Sequence, residues 1–240
     1  MNRIRFLATD VDGTLSINRE SVLIDPAVIE IVRKLESKGV IVSLVSSTAL
    51  PVVAGLKRYM GASGPGIGET GAIVFFGKDE VAHLTDKSTR EIVDAIVREF
   101  GEYVRESWQN EFRYHDLALK VKKKYLKRKW EVYEEIRRWV ADRYDDVRVE
   151  FSGYAIHVLP SNIGKGKALR YVMDKLGISR EEAAAIGDSY MDLELFEVVS
   201  LKAAVGNADE ELKKGADIVL RGGSSKGFIE FAKLILESQL

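Results

Sequence analysis

The stretch that most limits what this chain can fold into is Ile4-Arg5-Phe6-Leu7-Ala8-Thr9-Asp10-Val11-Asp12-Gly13-Thr14. Residues 4–8 form a short, largely apolar run that leads into a glycine turn, the pattern of a strand buried in an open sheet. The run then stops on acid. Side chains along a strand repeat with period two, so Asp10 and Asp12 leave its end on one side, and Gly13 lets the backbone turn closely around whatever they hold. Two carboxylates about 4 Å apart repel by roughly 4 kcal/mol at an effective dielectric of about 20. A hard divalent cation, Mg2+ above all, is the natural mediator. Taken alone, Asp-x-Asp-Gly-Thr is also a good surface turn, because Asp and Gly suit turns, so its meaning rests on the remaining chain.

That chain alternates strands and helices. Asp25-Pro26 reads as an N-cap followed by proline at the first helical position, with Val28, Ile31, Val32 and Leu35 as the apolar face and Gly39 beyond the end. Residues 40–45 are a β-branched run ending on Ser46-Ser47-Thr48. A strand, a helix and a second strand at this spacing predict a right-handed crossover in a parallel sheet. Further strands are predicted at 72–76, 154–159, 183–186, 201–205 and 218–220, and helices after Pro51, after Ser161 and over 228–237. Between them, residues 86–153 change pattern: two charged amphipathic helices near 88–100 and 127–144 accompany strand-like runs at 117–121 and 147–151. The expected architecture is α/β, a Rossmann-like parallel core of residues 1–83 and 154–240 with an α+β cap inserted at 84–153.

Composition removes several function classes. With 46% hydrophobic residues, the chain of 240 is not disordered. The first apolar run is too short for a signal peptide, and no run approaches the ~20 residues of a membrane span, so a soluble, cytoplasmic protein without membrane partners is expected. The absence of cysteine excludes disulfides, thiolate zinc and cysteine nucleophiles, and three histidines are few for a histidine metal site. A net charge of −1 makes the molecule as a whole no trap for nucleic acid. The 30% of charged residues points weakly to a heat-adapted organism. Oligomeric state is not specified, and a homodimer is left open.

Four predicted strands end on polar residues, at Asp10 and Asp12, at Ser46, at Asp188 and at Asn207. In an open parallel sheet the ligand crevice lies outside the carboxyl ends of the strands, so these distant residues are expected to converge. Together with Lys165-Gly-x-Ala-Leu169 and Gly187-Asp188-x-x-x-Asp192, the strings Asp10-x-Asp12-Gly13-Thr14 and Ser46 resemble, in order, the four motifs of the haloacid dehalogenase superfamily. The resemblance covers the whole chain, and the insert is similar to a type II cap. Length and ending are similar to the archaeal phosphoglycolate phosphatase group of the Cof-like phosphatases.

This resemblance implies a Mg2+-dependent phosphomonoesterase of carbohydrate metabolism acting on a small anionic ester, 2-phosphoglycolate foremost. Asp10 would be the nucleophile that forms an aspartyl-phosphate, and Asp12 the acid and base for the two proton transfers. Mg2+ would be held by Asp10, the backbone carbonyl of Asp12 and Asp188, with Asp192 bound directly or through water. Ser46 and Lys165 would hold the phosphoryl oxygens, with Asn207 beside them. Each residue also has a plain reading: Ser46 as a helix cap, Lys165 as a surface lysine with Lys167 its rival, Asp192 as a helix-start acid, and Asn207 as a turn residue.

Two departures from the family pattern concern geometry around the phosphate. Ser47-Thr48 stands where relatives carry Gly and then Arg or Asn, and Met191 stands where Asn is common. In the cap, the basic run from Lys120 to Lys129 reads as a solvated, ion-paired surface, with attraction of a small anion as the other reading; Arg113 and His115 are candidate contacts for a substrate carboxylate, His115 reading rather as a bystander; and Trp108, Trp130 and Trp139 are cap core. Alternatives within the superfamily are a sugar-phosphate phosphatase or a phosphomutase. A different class is a signalling or binding module that retains the aspartyl-phosphate without turnover.

Overall fold

A computed structural model describes residues 3–238; positions 1, 2, 239 and 240, assigned above to the core, lie outside the described residues. In chain order the elements are β1 (Phe6–Asp10), α1 (Pro26–Ser37), β2 (Ile41–Val45), α2 (Leu50–Met60), β3 (Gly66–Gly68), β4 (Ile73–Gly77) and β5 (Glu80–His83). Then follow α3 (Arg90–Phe100), β6 (Val104–Glu106), β7 (Leu117–Val121), α4 (Lys129–Ala141), β8 (Val147–Phe151) and β9 (Ile156–Pro160). The chain closes with α5 (Lys165–Leu176), β10 (Ala183–Gly187), α6 (Leu193–Phe196), β11 (Leu201–Ala204), α7 (Glu210–Gly215), β12 (Ile218–Val219) and α8 (Ser224–Glu237).

The larger sheet has eight strands in the order β12-β11-β10-β1-β2-β3-β4-β5. Its first six run parallel, and β4 and β5 add antiparallel at one edge. β1 is interior, with Phe6, Leu7 and Ala8 fully buried, as a strand covered on both faces requires. α1 starts as its sequence dictates, Asp25 Oδ1 accepting from the amide of Ala27 at 3.0 Å with Pro26 at the first turn, and its face of Val28, Ile31, Val32 and Leu35 is buried.

A second, antiparallel sheet has the order β6-β7-β9-β8 and its own apolar cluster, in which Val93 and Ile96 of α3 and Ile136 of α4 meet Leu119 and Ile156. The strand at 154–159, expected in the parallel core, belongs here instead: β9 pairs antiparallel with both β7 and β8, so the cap continues to Pro160. An apolar run announces a strand without naming its partner sheet. Two of the three tryptophans also depart from expectation. Trp108 and Trp130 are 64% and 55% exposed, while Trp139 packs against Phe100 within the cap cluster.

The junction between the two sheets is built on strained backbone. Glu69 and Thr70 are buried and both have left-handed φ, 50° and 53°, a conformation costly for a β-branched threonine. The Glu69 carboxylate accepts from the amides of Tyr114, His115 and Asp116 at 3.1, 2.8 and 3.3 Å, and Thr70 Oγ1 donates to Asp116 Oδ2 at 2.6 Å. The core thereby grips the cap by the backbone just before β7.

Candidate active site

β1 and β10 are parallel neighbours in register Thr9↔Ile186, so Asp10 and Asp188 leave the sheet at the same edge. Carboxylate oxygens of Asp10, Asp188 and Asp192 lie within 4.8 Å of one another, all buried. Gly13 makes this approach possible. Its φ is +93°, and a Cβ there would fall 2.4 Å from Asp188 Oδ2. Thr14 Oγ1 donates to Asp188 Oδ1 at 3.2 Å, fixing the carboxylate from the turn that follows β1.

Lys165, the first residue of α5, is buried and donates to Asp10 Oδ1 and Asp192 Oδ1, each at 2.6 Å. Its rival Lys167 is exposed and donates to the carbonyl of Asn162. The other oxygen of Asp192 accepts from the amides of Asp188 and Ser189 at 3.1 Å each. Asp192 therefore braces both the Asp188 turn and Lys165, and it sits behind the cavity wall rather than on it.

Crowding shows in the protonation of these groups. Burial, then the charges of Asp192 and Asp188, hold the Asp10 carboxyl well above its ordinary range, with Lys165 opposing. Asp188 is pushed up to about 7 by burial and by Asp192, against the pull of Arg19 and Lys165. Asp12 is raised by burial even though Lys165, Lys120, His157 and a hydrogen bond from Ser46 favour its charged form. Burial works against the Lys165 ammonium, but Asp10 and Asp192 more than offset it and raise its pKa.

A cavity of about 530 Å3 lies against this edge, lined from the core by Asp10, Asp12, Ser46, Lys165 and Asp188 and from the cap by Trp108, Lys120 and His157. Ser46 is buried and its hydroxyl caps the turn after β2, accepting from the amide of Thr48 at 3.1 Å and lying 3.0 Å from Thr48 Oγ1. Arg113 lines the cavity, and its terminal nitrogens donate to the carbonyls of Asp116 and Ser47 at 2.8 and 2.7 Å, while its buried Nε has no partner among the described residues. His115 does not line it; its ring lies between His83 and the carbonyl of Lys87.

Asn207 is exposed and does not line the cavity. Its side chain ties down Ser224, accepting from that amide at 2.9 Å and donating to the hydroxyl at 3.1 Å. Proximity of a strand end to the edge placed it in the expected set, but the structure turns its side chain to Ser224 and leaves it off the cavity wall. Arg19 is the residue that sequence reasoning missed. It stands in the loop bridged by Ser16 and Ile24, and its Nε lies 2.7 Å from Asp188 Oδ2 while Nη1 lies 2.8 Å from Asp209 Oδ1. A cation a few residues past an acidic strand end was the available signal.

The model of the haloacid dehalogenase-like hydrolases matches residues 7–130 and 73–231. The chain belongs to the haloacid dehalogenase-like hydrolases. A phosphoglycolate phosphatase of Staphylothermus marinus is 49% identical over 234 residues, covering 98% of both chains. One from Metallosphaera sedula is 37% identical, covering 97% of this chain and 99% of its own. Among solved structures, Thermoplasma acidophilum 0175 superposes over 100% of both chains with a TM-score of 0.83 at 26% identity. The sucrose-phosphatase of Synechocystis shares the fold, with a TM-score of 0.72 at 18% identity over 97% of this chain and 98% of its own.

As a haloacid dehalogenase-like hydrolase, the chain presents a donor set that fits a hard divalent cation. Three buried carboxylates converge, two of them with pKa raised by burial and then by the neighbouring acids, and Gly13 brings backbone against Asp188 where a Cβ would intrude. The departures from the family pattern also find a use. Thr48 shares the hydroxyl network of Ser46, the Ser47 carbonyl receives Arg113 from the cap, and Met191 lines the cavity.

Proposed function

We propose that the chain is a phosphomonoesterase that hydrolyses 2-phosphoglycolate to glycolate and phosphate through an aspartyl-phosphate on Asp10. The observation that carries this reading is the placement of Asp10 and Asp12 on one cavity wall, with Lys165 bound to Asp10 Oδ1 and Ser46 beside them. Among the described residues, Asp10 Oδ2 has no hydrogen-bond donor, and it is the oxygen available to attack phosphorus. The names of relatives 49% and 37% identical over nearly the whole chain support the substrate.

Attack by Asp10 forms an oxygen–phosphorus bond as the ester oxygen–phosphorus bond breaks, and Asp12 delivers its proton to the departing alkoxide. Burial raises the pKa of Asp12 above the ordinary carboxylate value, the direction that a proton donor needs. Water then attacks the phosphorus, Asp12 takes the water's proton, and phosphate leaves Asp10. Lys165 and Ser46 hold the phosphoryl oxygens, and the cap keeps bulk water from the intermediate. Asp10 and Asp188, with the carbonyl of Asp12 and with Asp192 behind them, would hold Mg2+, which when bound neutralises gathered negative charge and polarises the phosphoryl group.

The cavity volume favours a second reading, a bulkier ester such as a sugar phosphate, because about 530 Å3 lies in the range that admits drug-sized ligands. One assay separates these readings. Phosphate release is measured for 2-phosphoglycolate, sugar phosphates and p-nitrophenyl phosphate, with and without Mg2+, on wild type and Asp10→Asn. Preference for 2-phosphoglycolate, dependence on Mg2+ and loss of turnover in Asp10→Asn are expected. Wild-type turnover by that variant removes Asp10 as nucleophile. Phosphate that stays on Asp10 for minutes marks a signalling module, and label returning to substrate marks a mutase.

A further inference from the structure

The cap sheet turns one face toward the catalytic acids. Along β7 the alternation puts Leu117 and Leu119 into the cap core, and Ala118 and Lys120 on the cavity side, opposite His157 of β9. Three basic cap side chains therefore line the ceiling, Arg113, Lys120 and His157, and two of them are held by neighbouring protein groups. Arg113 gives its two terminal nitrogens to the carbonyls of Asp116 and Ser47 and sits against the Asp116 carboxylate, and its buried Nε has no partner among the described residues. His157 is held by Asp116 at Nδ1, at 3.0 Å, and by Ser152 at Nε2, at 3.3 Å.

Lys120 differs from both. Its ammonium donates to the carbonyl of Tyr154 at 3.0 Å, and among the described residues no carboxylate lies within salt-bridge distance of it. Of the basic run from 120 to 129, Lys120 and no other residue lines the cavity. The carboxylate whose charge reaches it is Asp12, across the cavity, while burial and the charges of Arg113 and Arg105 work against its protonation. A half-buried ammonium with spare donors, facing the general acid, lacks the anion that would complete it. Tyr154 lines the same cavity, and its hydroxyl, within reach of the Asp12 charge, is buried and has no hydrogen-bond partner among the described residues. A bound ligand's oxygen is the acceptor that this hydroxyl lacks.

Asp12 marks where the ester oxygen of the substrate must sit, because it protonates that atom. In 2-phosphoglycolate the carboxylate is one methylene carbon beyond the ester oxygen, away from phosphorus and toward the ceiling. We infer that Lys120 is the specificity-determining residue that receives this carboxylate, with the Tyr154 hydroxyl as second donor, and so selects an ester with an anionic leaving group. The inference rests on the phosphatase reading given above and assigns a role that the four motifs of the core do not supply.

The test compares 2-phosphoglycolate with ethyl phosphate, which keeps the ester and methylene and replaces the carboxylate by methyl. kcat and KM for both esters are measured on wild type, Lys120→Gln, Lys120→Met, Lys120→Arg and Tyr154→Phe, each checked for wild-type thermal unfolding. In Lys120→Gln and Lys120→Met the ratio of the two kcat/KM values is expected to fall about tenfold to a hundredfold, the worth of one hydrogen bond to a charged group, chiefly through KM for 2-phosphoglycolate. Lys120→Arg restores part of the ratio, and Tyr154→Phe lowers it less. An unchanged ratio in the neutral variants overturns the inference, as does an equal loss for both esters, which would mean that Lys120 acts on Asp12. A wild type indifferent to the carboxylate overturns the substrate reading and this inference with it. A wild type that prefers 2-phosphoglycolate and keeps that preference without Lys120 overturns this inference alone.

Discussion

Lys165 Nζ lies 2.6 Å from Asp10 Oδ1, across 155 residues of sequence, and this contact places a positive charge against the carboxylate that must attack phosphorus. The same ammonium reaches Asp192, so a single buried cation divides itself between two buried acids.

Removing that cation tests how the site balances its charge. Lys165→Met leaves Asp10 and Asp192 buried without their partner, and breaking one side of a buried ion pair costs about 3–5 kcal/mol. Urea unfolding of the variant is expected to show a loss of this order without divalent cation. Added Mg2+ recovers part of it, since a cation on the same carboxylates replaces some of the missing charge. A variant as stable as wild type in EDTA would mean that the acids are protonated in the native protein.

Asp188 predicts a pH dependence of metal binding. Its folded pKa, about 7, lies above the ordinary value of 3.8, so the native state holds this proton more tightly than the unfolded chain does. The metal-free protein accordingly loses stability as pH rises from about 4 to about 7, and no further loss from this group follows above that. Binding of Mg2+ needs the ionised form, so affinity climbs through the same window with release of a proton. The rise in thermal midpoint produced by Mg2+ is expected to be larger at about pH 8 than at about pH 5.5. A shift of equal size at both would remove Asp188 from the ligand set.

Gly13→Ala should separate folding from function. The new methyl group meets Asp188 Oδ2 at 2.4 Å, and φ is +93°, a region costing an L-residue roughly 1–2 kcal/mol. A modest drop in thermal midpoint is expected together with a disproportionate loss of Mg2+ affinity, read by titration calorimetry. Retained affinity would show that Asp188 moves aside without harm.

Glu69 offers a test of the junction. Glu69→Ala strands the amides of Tyr114, His115 and Asp116, now held by one carboxylate, and buried donors left unpaired cost about 1–3 kcal/mol each when no water reaches them. Hydrogen exchange is expected to accelerate at these three amides and in β7 before it does in β1. Uniform acceleration would mean that the two sheets unfold as one unit.

The parallel core and its acidic edge were legible because strand periodicity and turn chemistry are local. Ile4 to Ala8 reads as an interior strand and Asp25-Pro26 as a helix start, and both stand so in the structure. Convergence of Asp10, Ser46 and Asp188 followed from one rule about parallel sheets, and Lys165 joined them through the motif resemblance. What depends on partners was not legible. The run at 154–159 announces a strand and stays silent on its sheet. Trp108 looks like core until its neighbours leave it exposed. Asn207 ends a strand at the right edge and spends its amide on Ser224. Arg19 belongs to the site through the reach of a long side chain from a loop, and no periodicity records reach. Lys120 was hidden inside a basic run whose other members face elsewhere.

Only residues 161–164 separate the end of β9 from Lys165. The last strand of the cap thus hands the chain directly to the ammonium that neutralises the nucleophile, so the lid and the charge share one short leash. The position of the cap sheet and the position of Asp10's counterion are therefore set by one connection of four residues.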